Sequence, residues 1–418
     1  MFKFIHTADI HLDSPLKSLV LRDPQIADLI GGATRRTFEK IIDLCINEQV
    51  HALIIAGDLY DGDQRSMKTA AFLTEQMRRL ESFGIQVFII RGNHDSESTI
   101  TKHLDFPRNV HIFTAQGDVK VLKDFGVAIH GVSYAERQAP ESLLCKYKSP
   151  IKGLINIGIM HTSLTGASGH DNYAPCSLRD LTDHGFDYWA LGHIHQRRVY
   201  SDSSPFIVMP GIPQGRDIGE EGLKSVTVVE MSEMHTQLDE RFISDTEFQE
   251  IQVDLSNTLE WQQALEKVQS GLKVMRGSVK ANHLICRIIL VGYSPLYWRL
   301  RRDFDLFEAE VKEIMRKFNG LFLDDLKIEM KALAFVTDDA DPTVELEGYM
   351  KEVMMNDAFC VKINSFFDKA VRQMPQEIRN DYGVDQSDRK DIIQRLLSEG
   401  IADVIASFKG NRSDSEVV

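Results

Sequence analysis

The chain has 418 residues, 43% hydrophobic and 26% charged, a soluble globular composition with room for two or three domains. Its formal net charge of -14 counts against binding nucleic acid by a basic footprint alone. No apolar run approaches the ~20 residues that span a bilayer, and the start MFKFIHTADIH lacks a signal peptide's apolar stretch, so a cytoplasmic protein is expected.

The first half alternates strand and helix patterns. KFIHTADIH, HALIIAGDLYD and QVFIIRGNHD read as strands, with helical spacing between them over 34–49 and 65–83. Ile41, Ile42 and Cys45 share one helix face, and Phe72, Leu73 and Met77 another. GVAIHGVSY, INIGIMHTS, FDYWALGHIH, PFIVMPG and SVTVVEM continue the strand pattern. ALIIA and VFII are unbroken apolar runs, as expected where both faces of a sheet are covered. This order predicts an α/β layered domain over 1–240.

A strand–helix–strand–helix–strand run follows, from FQEIQVDL to DDLKIEMKAL, and predicts a small second domain over 246–335. VTDDADPTVE reads as an acidic linker, and 343–409 as a helical C-terminal region. Met354, Met355, Phe366 and Phe367 are expected to pack between helices, with a docking surface for a partner as the alternative. WRLRR reads either as a solvated helix face or as a phosphate grip. The five cysteines are scattered, with no C-x-x-C, and predict reduced thiols rather than disulfides or a zinc site.

Polar residues collect where the strands end. Asp9 and His11 close the first, Asp58 the second, and Asn93 and His94 the third. His161 ends IGIMHTS, and His193 and His195 end YWALGHIH. Strand carboxyl ends converge on one crevice in an open α/β sheet. The D-x-H and H-x-H spacings place both side chains on one face if the segment is extended. Imidazole, carboxylate and amide oxygen, without thiolate, suit Mn²⁺, Fe²⁺ or similar ions. Seven donors exceed what one catalytic ion with open positions needs. Two divalent ions bring +4 and the two carboxylates -2, leaving charge for a hydroxide and a phosphodiester. An ion pair ~3.5–4 Å apart activates water for in-line displacement at phosphorus, so phosphoester hydrolysis is expected.

In order, DIH, GDLYD, GNHD, HTS and GHIH resemble the five motifs of the calcineurin-like metallophosphoesterases, over about residues 4–197. FIHTADIHLDSPLKSL and the stretch from HDNYAPCSLRDL to GHIH are most similar to the SbcD-type DNA repair exonucleases, in a YhaO-like bacterial branch. The resemblance implies a layered β-sandwich flanked by helices, with a small α+β capping domain. It implies that Asp9, His11 and His195 hold one ion, that Asp58 bridges, and that Asn93, His161 and His193 complete the other. It places His94 at the scissile phosphate as general acid, with Asp95 orienting it. It also implies two divalent ions, Mn²⁺ foremost with Fe²⁺, Mg²⁺ or Zn²⁺ as alternatives. The implied partners are DNA, an SbcC-like coiled-coil ATPase docked on the C-terminal helices, and a second copy of the chain.

Two departures stand out. Many SbcD-like chains read H-L-G where this one reads H-L-D, and some carry His in place of Asp61. Both bear on the DNA substrate more than on the metal site. Asp61, His170 and Arg179 are candidate substrate contacts, and Asp63 a helix cap. His6, His51, His103, His111, His130, His184, His235 and His283 are expected to be packed or on the surface. The alternatives are a phosphodiesterase or phosphatase for small substrates, and an architectural DNA-end-binding subunit that retains the site.

Overall fold

The structure is a computed structural model that describes residues 1–14, 31–60, 67–95, 106–136, 139–164, 173–332, 342–374 and 386–413. Asp61, Asp63, His103 and His170 lie outside them. The chain divides into two compact units, Met1–Phe248 with Ala281–His283, and Gln249–Lys280 with Leu284–Val418.

In the first unit β1 (Phe2–Thr7), β2 (Ala52–Ala56), β3 (Gln86–Ile90) and β4 (Val110–Ile112) run parallel. Antiparallel β11 (Ser225–Met231) and β12 (Thr236–Phe242) extend this sheet beyond β1. The second sheet has the order β5 (Asp118–Leu122), β6 (Val127–Gly131), β7 (Ile155–His161), β8 (Tyr188–Gly192), β10 (Phe206–Met209) and β9 (Arg198–Ser201). Its middle strands are parallel and its edges antiparallel.

The unbroken apolar runs have two destinations, because successive side chains point to opposite faces. In β2, Ala52, Ile54 and Ala56 join Phe4, Phe88, Ile129, Ile157 and Tyr188 in one core. Leu53 and Ile55 join Phe38, Ile41, Ile42 and Cys45 of α1 (Ala33–Asn47), and Leu73 and Met77 of α2 (Met67–Ser82). Each fully buried Ile or Leu contributes roughly 1.5–3 kcal/mol. Trp189, Leu191 and Met160 face a third cluster with Leu181 of α3 (Leu178–His184). The fold is thus a two-sheet α/β sandwich with helices outside.

β13 (Thr246–Asp254), β14 (His283–Val291) and β16 (Leu321–Ile328), which from Gln249 and Leu284 onward belong to the second unit, form a sheet. A short parallel pair, β15 (Tyr293–Ser294) and β17 (Lys331–Ala332), lies beyond it. Helices α4 (Trp261–Ser278) and α6 (Phe304–Met315) meet through Trp261 and Phe307, ring centroids 5.1 Å apart. The WRLRR run forms α5 (Tyr297–Arg302) and fits neither expectation. Arg301 is bound to Asp403 at 2.7 Å and to the Glu399 carbonyl, Arg302 to Asp303, and Arg299 lies over Trp261. These guanidiniums are engaged inside the unit, and α5 seats the long α9 (Gln386–Ser413).

Between α5 and α9 lie α7 (Pro342–Met354) and α8 (Asp357–Gln373). Met354 and Phe367 are half-buried, whereas Met355, between α7 and α8, and Phe366 on α8 are not packed between helices; they are 81% and 66% exposed. The five cysteines are free thiols. Among the described residues no helix is long and apolar enough to cross a membrane.

Candidate metal centre

All seven expected donors stand at the carboxyl ends of β1, β2, β3, β7 and β8. Asp9, His11, Asp58, Asn93 and His161 are buried, and His193 and His195 are half-buried. Donor atoms of Asp9, His11 and His195 lie within 4.8 Å of one another, as do those of Asp9, Asp58 and His161. The rings of His161 and His193 are 5.1 Å apart, and His11 lies 5.1 Å from His94 and 5.3 Å from His195, centroid to centroid.

The backbone that makes this possible is not extended. β1 stops at Thr7, and Asp9 and His11 take φ of 51° and 45°. Asp9 and His11 are thus brought together by a left-handed loop, not by the two-residue repeat of the extended segment expected from the sequence. Asp58 and His193 also have positive φ, 51° and 102°. Such conformations cost of order 1–3 kcal/mol each in non-glycine residues and concentrate at functional sites. The loop is held to its neighbour by amides of Asp9, His11 and Leu12 donating to carbonyls of Gly57, Asp58 and Leu59 at 2.9–3.0 Å. Asp13, where many SbcD-like chains have glycine, sits at φ 60°. Its carboxylate is clamped by Arg35 at 2.5 Å and by Thr69, so an aspartate holds the turn that glycine makes by freedom alone.

The carboxylates also brace the loops. Asp9 accepts the His193 amide at 2.9 Å, and Asp58 that of His94 at 3.0 Å. Gly92 is required by this closeness, since a Cβ there would lie 2.1 Å from Asp58 Oδ1. Asp95, expected at the His94 ring, turns its carboxylate to backbone amides. It accepts the amides of Leu59, Tyr60 and Gly92 at 2.9–3.1 Å, tying the loop after β2 to the loop after β3. Burial and the nearby Asp58 push its carboxyl up to about 6.

His161 Nδ1 is 2.9 Å from the Ala56 carbonyl, so it carries the proton and leaves Nε2 a lone pair. Nε2 faces Asn93 Oδ1 at 2.9 Å and Asp58 Oδ2 at 3.3 Å. Burial alone would lower the His161 pKa, but Asp58 and Asp9 push it up to about 9. Burial alone would raise the Asp58 carboxyl, but His161, His11 and His94 hold it well below the carboxylate range. Buried oxygens and imidazole lone pairs facing one another constitute a receptor for cations. One group escapes a reading of the sequence. His195 Nδ1 lies 2.6 Å from Glu220 Oε1, and His195 and Arg216 hold the Glu220 carboxyl at about 2 against its burial. No motif marks Glu220, which is distant in sequence.

Arg179 is 89% exposed at its side chain and pairs with Asp183. The structure does not bring it into the cluster.

Residues 2–197 match the profile of the calcineurin-like phosphoesterases, and 248–331 that of the middle domain of the metallophosphoesterase YhaO. An uncharacterized metallophosphoesterase, YhaO, of Bacillus subtilis is 33% identical over 296 residues, 70% of this chain and 72% of its own. The chain belongs to the calcineurin-like metallophosphoesterases. Within that family it is also similar to the DNA double-strand break repair protein Mre11 of Sulfurisphaera tokodaii, 28% identical over 50% of this chain and 54% of that one. One subunit of the nuclease SbcCD of Staphylococcus epidermidis is 24% identical over 50% of this chain and 60% of its own. This metallophosphoesterase therefore spans little more than half the length of those two relatives. The family implies a hydrolase of phosphoesters with two divalent ions. The donor set fits them: donor atoms of Asp9, His11 and His195, and of Asp9, Asp58 and His161, lie together, with Asn93 Oδ1 against His161 Nε2 and the His193 ring beside that of His161.

Proposed function

We propose that the chain is a dinuclear-metal-dependent phosphodiesterase that cuts DNA, an exonuclease and endonuclease of SbcD type. The observation that carries the reading is the pair of overlapping clusters that share Asp9 at the carboxyl ends of strands from both sheets, in a chain similar to a component of an SbcCD nuclease. Asp9, His11 and His195 would hold one ion, with Asp58 between the two, and Asn93, His161 and His193 the other. Manganese is the foremost candidate by resemblance, with Fe²⁺, Mg²⁺ or Zn²⁺ as alternatives. When bound, the ions supply Lewis-acid charge for in-line displacement at phosphorus.

The protein's own groups do the rest. His94 has its amide fixed by Asp58 and its ring beside His11. It protonates the leaving oxygen, a role worth about 10²–10⁴-fold in rate. Asp95 acts at one remove, by holding the two loops. The domain reading is a nuclease domain over 1–240, a capping domain over 246–335 and a helical region over 343–409. That region would dock an SbcC-like ATPase, and the nuclease domain would pair with a second copy.

The net charge of -14 means that phosphate attraction is local to the ions, so DNA affinity of the chain alone is weak and salt-sensitive. The test uses full-length protein with Mn²⁺ on linear and hairpin DNA, cyclic dinucleotides and bis-p-nitrophenyl phosphate, with Asp58→Ala as control. DNA cleavage that disappears in Asp58→Ala and weakens with salt supports the reading. Faster turnover of cyclic dinucleotides than of DNA, or tight DNA binding at high salt, overturns it.

A further inference from the structure

An imidazole that binds an ion through one nitrogen carries a proton on the other, and the acceptor of that proton sets the ring's direction and basicity. The two clusters differ in this acceptor. His161 uses a neutral carbonyl, that of Ala56. His195 uses a carboxylate, Glu220, at 2.6 Å.

Glu220 is itself held from several sides. Its Oε2 accepts the Arg216 amide at 2.8 Å, and its Oε1 lies 3.2 Å from the Arg216 guanidinium. The carboxylate is 14% exposed and the Arg216 side chain 21%. The turn that carries them is anchored at both ends. The buried Gln214 side chain donates to the Thr246 carbonyl at 2.8 Å, and the Gly222 amide donates to the Phe248 carbonyl at 2.9 Å. A carboxylate fixed in this way cannot turn away from the ring without breaking several hydrogen bonds. Both residues lie outside the 2–197 segment that matches the family profile.

We propose that Glu220, clamped by Arg216, is a positioning residue for His195: it accepts the Nδ1 proton and turns the Nε2 lone pair toward Asp9 and His11. This rests on the dinuclear reading above. It makes the ion beside His195 the more dependent on residues distant in sequence.

The test is Mn²⁺ titration of the EDTA-stripped full chain by calorimetry and by electron paramagnetic resonance of the bound ions. The variants are Glu220→Ala and Glu220→Gln. Glu220→Ala strands Arg216 and is prone to misfold, whereas Glu220→Gln keeps one acceptor oxygen for the ring, removes the charge and turns an NH₂ toward the Arg216 donors. The wild type should bind two ions and show their spin coupling. Glu220→Gln should weaken one ion by about 10-fold, leave the other within about 2-fold, and lose the coupled signal at concentrations where the wild type shows it. Wild-type affinity for both ions in Glu220→Gln overturns the proposal, as does equal weakening of both. A wild type that binds fewer than two ions, or binds two and leaves DNA intact, counts against the proposed function instead. The ratio of variant to wild type decides Glu220 alone.

Discussion

His161 and Asn93 meet side chain to side chain, Nε2 to Oδ1 at 2.9 Å, although the only proton on a neutral His161 is committed to Ala56 on the other side of the ring. Asp58 adds a carboxylate oxygen 3.3 Å from the same Nε2. These lone pairs coexist only around a proton or a cation. Without metal a proton takes the place, which is how the pKa of a buried imidazole comes to lie at about 9.

Metal removal should therefore destabilise the fold. An ion bound only by the native state adds about 2.7 kcal/mol at a free concentration 100 times its dissociation constant. Thermal unfolding in EDTA should show a lower midpoint than in Mn²⁺, and excess Mn²⁺ should restore it. An unchanged midpoint would show that the cluster holds no ion in the native state.

Asn93 and His94 are neighbours with separable tasks. Asn93→Ala removes a donor atom and should weaken one ion by about 10-fold or more, which takes away about 1.4 kcal/mol or more of the Mn²⁺-dependent stabilisation. His94→Ala should keep both ions and lose about 10²–10⁴-fold in kcat. Calorimetric titration and steady-state kinetics on the two variants check this. Equal metal loss in both would mean that His94 is a ligand.

The strands that deliver these residues are legible in the sequence because their apolar runs are buried on both faces, as Leu53 and Ile54 illustrate by entering different cores. The donors are legible because five short motifs occur in one order. The conformation between them is not. Nothing in D-I-H announces that Asp9 and His11 have positive φ, since that is imposed by amide bonds to Gly57 and Asp58, which lie far along the chain. The task of Asp95 is hidden for a related reason: adjacency to His94 points to the ring, while the carboxylate accepts three backbone amides. The partition into two sheets and the short edge strands β4, β5 and β9 depend on pairings that local pattern does not encode.

Asp95→Asn tests that correction. The amide side chain keeps one acceptor oxygen and places an NH₂ against amide donors, leaving buried N–H groups unsatisfied at about 1–3 kcal/mol each. Urea unfolding in EDTA should show a loss of about 2 kcal/mol or more, with kcat per folded, metal-loaded molecule little changed. A variant as stable as wild type but slow in turnover would restore Asp95 to the role of orienting His94.

His6 gives the fold an acid-sensitive element outside the metal centre. The ring is buried between the Tyr188 hydroxyl and the Leu191 carbonyl, both at 3.0 Å. Burial drives its pKa down from the ordinary value of 6.5 to about 3. The unfolded chain therefore binds a proton that the folded chain refuses between these values. The contribution of His6 is fully present above pH 6.5 and falls as pH drops, by up to about 1.4 kcal/mol per unit, until about pH 3. Urea titrations in EDTA at about pH 7 and pH 5, on either side of the unfolded value, should show a smaller loss in His6→Gln than in wild type. Parallel losses would place the acid sensitivity elsewhere.

Helix α9 is held by two kinds of contact whose magnitudes differ. Ile405 and Ala406 are fully buried, while Asp403, 60% exposed at its side chain, pairs with Arg301 at 2.7 Å. A largely exposed ion pair contributes about 0–1 kcal/mol because water screens it. Truncation of a buried isoleucine costs about 2–5 kcal/mol through lost transfer energy and the cavity left behind. Ile405→Ala should therefore release α9 from α5, seen as faster amide exchange across α9, whereas Asp403→Ala should leave exchange close to wild type. If Asp403→Ala alone frees the helix, the ion pair rather than apolar packing holds it, and Arg301 is its main anchor.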